Sequence, residues 1–199
     1  MTRRSSLRAS VAAALLTLTV AAAPLNAAAD SDDTSLISLV AMASQRLALA
    51  VPVAQWKWAN HRPITDAPRE AALLADVEKR ARAINVDPAF ARVFFQDQIA
   101  ASKQVQAALF DSWRKSHAPA GPAPDLATST RPQLDHLTDS LLVALARVQP
   151  MRDAADCPSR VARSVANWKT MTRYGATDAN ALATALAHVC TSGGVAGSA

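Results

Sequence analysis

Glycine is scarce in this chain. Only five occur in 199 residues: Gly121 and Gly175 in the body, then Gly193, Gly194 and Gly197 in the tail. No glycine-rich phosphate loop, G-x-S-x-G elbow or H-E-x-x-H motif is present, so nucleotide and hydrolase chemistry have no visible basis. There are two cysteines and no C-x-x-C, which gives little support to a redox or zinc role. The four histidines, His61, His117, His136 and His188, show no ligand spacing, and neither metal nor cofactor is expected. No stretch alternates apolar and polar residues for long, while alanine is abundant, so the composition favours helix throughout.

The first thirty residues read as a secretory leader. Arg3, Arg4 and Arg8 form a positive start, Val11 to Pro24 carries no charge, and small residues follow at Asn26 to Ala29. Cleavage is expected after Ala29. The apolar run is shorter than the ~20 residues a spanning helix needs, so no membrane association is expected once the leader is gone. The full chain has 21 Lys and Arg against 16 Asp and Glu, but the leader holds three of the arginines and no acid. The remaining 18 against 16 leave +2, a poor footing for nucleic-acid binding. Export to the periplasm or beyond would expose Cys157 and Cys190 to oxidising conditions, where an even pair reads as one disulfide.

Residues 30–199 then form one all-α domain, a bundle of about six helices. The first is expected from Thr34 to Asn60, with an apolar stripe of Leu36, Leu39, Val40, Ala43, Leu47 and Ala50 and a kink at Pro52. A second starts near Asp66 and carries Leu73, Leu74 and Val77. Asp87-Pro88 is a cap followed by a first-turn proline, opening a third helix through Phe94, Ile99 and Val105 to about Trp113. His117 to Thr128 reads as a loop. A fourth helix from about Thr130 packs through Leu134, Leu137, Leu141, Leu145 and Val148 and ends at Pro150. Two shorter ones follow, near 157–173 and 178–190, and the last nine residues read as a flexible tail.

Some charges fall on apolar faces. Arg46 comes seven residues after Leu39 and so lies on the buried stripe. Lys57 is eleven residues further, about three turns, so both share a face ~16 Å apart along a straight axis. Arg131 sits three residues before Leu134. For one such cation the ordinary reading is snorkelling or an internal pair with Asp66, Asp97 or Asp135. Three of them on two helices point toward an anion site. Ser102 and Gln106 share a face at i,i+4, and Asp66, Arg69 and Glu70 cluster where the second helix begins, with Asp66 a default N-cap.

The ordered set of these residues resembles the all-helical AroQ-type chorismate mutases, in particular their secreted (gamma) subclass. The resemblance runs along Gln45-Arg46-Leu47, Pro52-Val53-Ala54 and Trp56-Lys57-Trp58. It continues through Pro63-Ile64, Asp66, Arg69-Glu70 and Phe95-Gln96-Asp97-Gln98-Ile99 to Ser102, Gln106 and Arg131, and includes the pair Cys157/Cys190. It implies conversion of the dianion chorismate to prephenate by a concerted pericyclic shift, with no covalent intermediate and no cofactor. A protein catalyses such a step by folding the substrate into its reactive form and stabilising charge that arises in the transition state.

Under this resemblance Arg46 and Arg131 hold carboxylates, Arg69 completes the cationic surround, and Lys57 and Gln106 donate to the breaking ether oxygen. Asp66 and Glu70 address the ring hydroxyl or orient the arginines, and Ser102 contacts a carboxylate. It further implies a homodimer with each site inside one protomer. Gln106 and Ser102 stand where secreted relatives have Glu and Thr. The other readings of the same residues are an isochorismate pyruvate-lyase on the same fold and a non-catalytic exported binder of an aromatic carboxylate.

Overall fold

The computed structural model describes residues 25–193, with side chains from residue 32 onward. Residues 1–24 of the leader expected at 1–29, and residues 194–199 of the expected tail, lie outside the described residues. No strand occurs among those described, and the chain forms seven α-helical segments. These are α1 (Leu25–Ala48), α2 (Ala50–Ala59), α3 (Ala67–Ala83), α4 (Pro88–Lys115), α5 (Arg131–Val148), α6 (Cys157–Thr172) and α7 (Ala176–Ala185). The first two are one helix interrupted at Leu49, so the bundle has six rods.

The interruption lies upstream of the proline that causes it. Pro52 has no N–H, and its ring crowds the carbonyl four residues back, which belongs to Ala48. The last turn of α1 instead tightens, with Leu49 N–H donating to Arg46 C=O at 3.2 Å, and regular bonding resumes with Val53 N–H on Leu49 C=O at 3.3 Å. The helix end is therefore displaced from position 52 to 48–50.

Two other corners use left-handed residues that are not glycine. His61 (φ 51°) follows α2, where His61 N–H donates to Trp58 C=O and Arg62 N–H to Lys57 C=O at 2.8 Å. Asn85 (φ 59°) closes α3 in the same way, with Val86 N–H on Ala81 C=O at 3.0 Å. These paired bonds satisfy the last carbonyls of each helix. Asp66 and Asp87 cap the following helices through Arg69 N–H (3.4 Å) and Ala89 N–H (2.9 Å), each with a proline in the first turn.

Helix α4, 28 residues or ~42 Å long, is the axis of the bundle. It packs on α2, α3, α7 and α1, while α1 also packs on α5 and α6. The stretch Asp32–Ala59 is long and apolar enough to cross a membrane by composition alone. Its Leu36, Leu39, Val40 and Ala43 are nevertheless fully enclosed in the core beside Phe94, Phe95, Leu141, Leu145 and Leu182. Arg160 on α6 holds its start through Asp33 (2.8 Å) and Asp32 (3.4 Å).

The chain end is fastened onto α4 by polar bonds. Gln98 Nε2 donates to Ala185 C=O at 2.8 Å, and Asp97 accepts from both the His188 backbone N–H (3.0 Å) and ring Nδ1 (2.9 Å). Burial raises the Asp97 carboxyl above its usual range, and the His188 bonds oppose that shift. Helix α7 ends at Ala185, five residues short of the expected Cys190, and the rest is a succession of turns. Cys157 and Cys190 form the expected disulfide.

That bridge closes a loop of sequence separation 33, which in the chain-entropy account stabilises by about 3–4 kcal/mol. At roughly 2–4 °C per kcal/mol for a chain of this size, Cys157→Ser/Cys190→Ser is expected to lower Tm by about 10 °C in a calorimetric scan. Turnover at temperatures where the fold survives is expected to stay near wild type.

Candidate active site

A cleft of about 820 Å³, counting its open mouth, lies between α1/α2, α3, α4 and the start of α5. Its walls are helix faces. Arg46, Leu49, Ala50, Val53, Trp56 and Lys57 come from the interrupted first rod; Asp66, Arg69, Glu70 and Leu73 from the head of α3. Ile99, Ser102, Lys103 and Gln106 come from α4, and Leu126, Thr130, Arg131 and Leu134 from the segment entering α5. All eight polar residues singled out in the sequence are among them. Each helical set repeats at three or four residues, the spacing that keeps side chains on one side of a helix. Leu73, Ile99 and Leu134 are only half-buried, because they line this cleft instead of filling the core.

Arg46 is 7% exposed. Its guanidinium lies 5.7 Å from the Phe95 ring centroid, and its Nε has no hydrogen-bond partner. Burial pulls its pKa down to about 10, with the Asp135 charge opposing the fall. Asp97, considered from sequence as a partner for such a cation, is taken by His188. A buried guanidinium left with open donors is costly to the free protein and calls for an anion.

Lys57 is positioned by the corner that follows it. The Schellman-type turn at His61 folds the chain back, and Lys57 Nζ donates to Ile64 C=O. An ammonium has three N–H donors, so two remain for the cleft. Burial lowers the Lys57 pKa, opposed first by Asp66 and then by Glu70. Glu70 Oε1 accepts the Asp66 N–H at 3.0 Å, and Oε2 meets Lys103 Nζ at 2.7 Å.

Gln106 is 3% exposed, and its Nε2 lies 3.0 Å from Ser102 Oγ, leaving Oε1 without a partner. A serine hydroxyl can donate as well as accept. Ser102 can therefore hold the amide in either sense: as placed, Nε2 donates to Ser102 Oγ, and with the amide turned over Oε1 accepts the Ser102 hydroxyl and the two N–H donors stand where Oε1 was.

Arg131 is delivered by a five-residue wide turn, Leu126–Thr130, closed by Arg131 N–H on Leu126 C=O. Asp125 caps that turn, accepting Ala127 N–H (2.8 Å) and the Thr128 hydroxyl (2.6 Å). In place of the loop expected up to Thr128 the structure has this turn, and Leu126, Thr130 and Lys103 join the cleft residues that the sequence predicts. Lys103 was within reach of the same periodicity, since 99, 102, 103 and 106 fall at i, i+3, i+4 and i+7.

The cleft thus holds five cationic side chains, Arg46, Lys57, Arg69, Lys103 and Arg131, against the carboxylates of Asp66 and Glu70. Among the described residues no cluster of His, Cys, Asp and Glu could hold a metal ion. The arrangement can bind a compact polyanion and donate hydrogen bonds to it from several sides.

Residues 30–107 match the family model described as chorismate mutase type II. The secreted chorismate mutase of Mycobacterium tuberculosis is 32% identical over 137 residues, which are 68% of this chain and 69% of that protein. The chain belongs to the chorismate mutases. The secreted chorismate mutase of Mycolicibacterium smegmatis is 36% identical over 131 residues, covering 65% of this chain and 72% of its own. The crystal structure of chorismate mutase from Burkholderia thailandensis superposes with a TM-score of 0.77 at 72% identity, over 79% of this chain and 99% of that one. That from Burkholderia phymatum gives 0.76 at 34%, over 80% and 98%. The enzyme is thus an isomerase of the mutase family, and its described residues form an all-helical bundle without strands.

The unpartnered Arg46 generates a trade-off. Replacing a buried, incompletely bonded charge by an apolar side chain of similar length is often neutral or stabilising. Arg46→Met is expected to hold or raise Tm while raising KM for chorismate at least tenfold. A variant that melts well below wild type would show that Arg46 supports the fold and not the ligand.

Proposed function

We propose that chorismate rearranges to prephenate in this cleft, with its carboxylates held by Arg46 and Arg131 and Arg69 completing the cationic surround. The observation that carries the reading is the buried Arg46 guanidinium with an open donor, facing a cleft in which cations outnumber acids five to two. Planar guanidinium suits bidentate carboxylate recognition. Lys57 and Gln106 donate to the ether oxygen as its bond breaks, so negative charge developing there meets donors already in place. Ser102 contacts a carboxylate or sets the Gln106 amide, and Asp66 and Glu70 meet the ring hydroxyl or orient their cationic neighbours. The rearrangement needs no nucleophile, which agrees with a site that offers charge and shape alone.

The same reading includes cleavage of the leader after Ala29 and export, in keeping with the secreted relatives and with a disulfide between Cys157 and Cys190. It also includes a homodimer with one cleft per protomer, since every residue invoked comes from a single chain. Following chorismate absorbance with purified residues 30–199 tests the activity, and light scattering tests the assembly. Stoichiometric prephenate without pyruvate from isochorismate is the expected result.

Two variants test the roles. Lys57→Ala removes one preorganised donor at developing charge, a loss on the order of 10²–10³ in rate, and kcat is expected to fall by more than KM rises. Residual activity within threefold of wild type would sink the assignment. Gln106 keeps N–H donors at every accessible pH, so wild-type kcat/KM is expected to stay nearly flat from about pH 5 to 8. Gln106→Glu donates only while protonated and repels the dianion once ionised. Its activity is therefore expected to survive at acid pH and decline toward neutrality. An unchanged profile would mean that this side chain does not touch the reacting oxygen.

A further inference from the structure

Lys103 belongs to no part of the resemblance, yet it lines the cleft one residue beyond Ser102. Its ammonium pairs with Glu70 Oε2 at 2.7 Å, joining α4 to the first turn of α3 across the site. The other Glu70 oxygen accepts the Asp66 N–H. The two side chains are only 30% and 24% exposed, so water screens the pair less than it would on an open surface. Both groups act on the Lys57 charge with opposite sign, Glu70 favouring it and Lys103 disfavouring it.

The consequence lies in what Glu70 does without its partner. An unmatched carboxylate in a partly dry cleft seeks the nearest available cation. Lys57, whose charge Glu70 already favours and which has two N–H donors beyond the one on Ile64, is a cation within its electrostatic reach. A Lys57 captured by Glu70 is withdrawn from the substrate, and the carboxylate also repels a dianion.

We propose that Lys103 is a positioning residue for the mutase reaction, which neutralises Glu70 so that this carboxylate does not compete with chorismate for Lys57. The proposal rests on the reading of the cleft as the chorismate site. It differs from direct substrate binding by Lys103 in one measurable way: the effect of Lys103 must depend on the charge at position 70.

A double-mutant cycle on the purified enzyme separates the two. Lys103→Met is expected to lower kcat/KM about tenfold, equivalent to ~1.4 kcal/mol, with Tm little changed, and Lys103→Arg to recover to within threefold of wild type. In the Glu70→Gln background, Lys103→Met is expected to cost less than twofold, because no charge is left to neutralise. An equal cost in both backgrounds, or none in either, overturns the proposal. Lys57→Ala run alongside tells which reading has failed. If that variant is crippled while the cycle shows no coupling, the Lys103 proposal alone falls. If Lys57→Ala is as active as wild type, the site reading falls and takes this proposal with it.

Discussion

The burial of one guanidinium sets the terms for this structure. Arg46 is held among core residues of α1, over the ring of Phe95, without a carboxylate bonded to it. Its lowered pKa records a free-energy cost borne by the unliganded protein. The rest of the fold has to hold that charge in place until an anion arrives. It does so with a thoroughly apolar core on one side of α1 and a cleft on the other, so that Arg46 sits where the two meet. Preorganisation of this kind is what a pericyclic reaction can use, since the protein supplies no bond-making group and works only by shape and field.

The frame around the cleft is correspondingly tied down. Helix α4 lines the cleft with Ile99, Ser102, Lys103 and Gln106 on one side, and on others it is fixed to the chain end by Gln98 and Asp97. The disulfide then holds that chain end to α6. The polar fastening and the covalent one act in series, from the cleft wall through α7 to the N-terminus of α6. The Asp97–His188 contact thus serves the frame, a different use from the cation partner that its place in the sequence had left open.

Much of this was legible in the sequence because helical period and capping chemistry are local. The caps at Asp66 and Asp87 occur where the sequence predicts them, and the stripe Leu36–Leu39–Val40–Ala43 is buried as its spacing predicts. The eight polar candidates share one cleft because side chains three or four apart stay together once a helix forms. What escaped depends on partners distant in sequence. Ile99 and Leu134 look like core on their own helices and line a cavity only because the opposite wall stands back. Lys103 reads as a solvated charge until Glu70 is brought opposite it. The wide turn at Leu126–Thr130 is set by bonds to Asp125 that no periodicity announces. The kink moved because a proline acts on the carbonyl one turn before it, a rule the sequence contains but which is easily read at the proline itself.

That displaced joint bears on how such a site can change over time. In an unbroken helix any local overwinding or repacking is handed on as rotation to every residue further along, at ~100° per residue. Arg46 lies before the joint at Leu49 and Lys57 after it. With one hydrogen bond missing, the joint is where a change of pitch is absorbed. Substitutions that reshape the α1 core can therefore accumulate without turning Lys57 away from Gln106. The proline makes the first rod two units of inheritance, each with its own cleft cation and each able to repack without rotating the other.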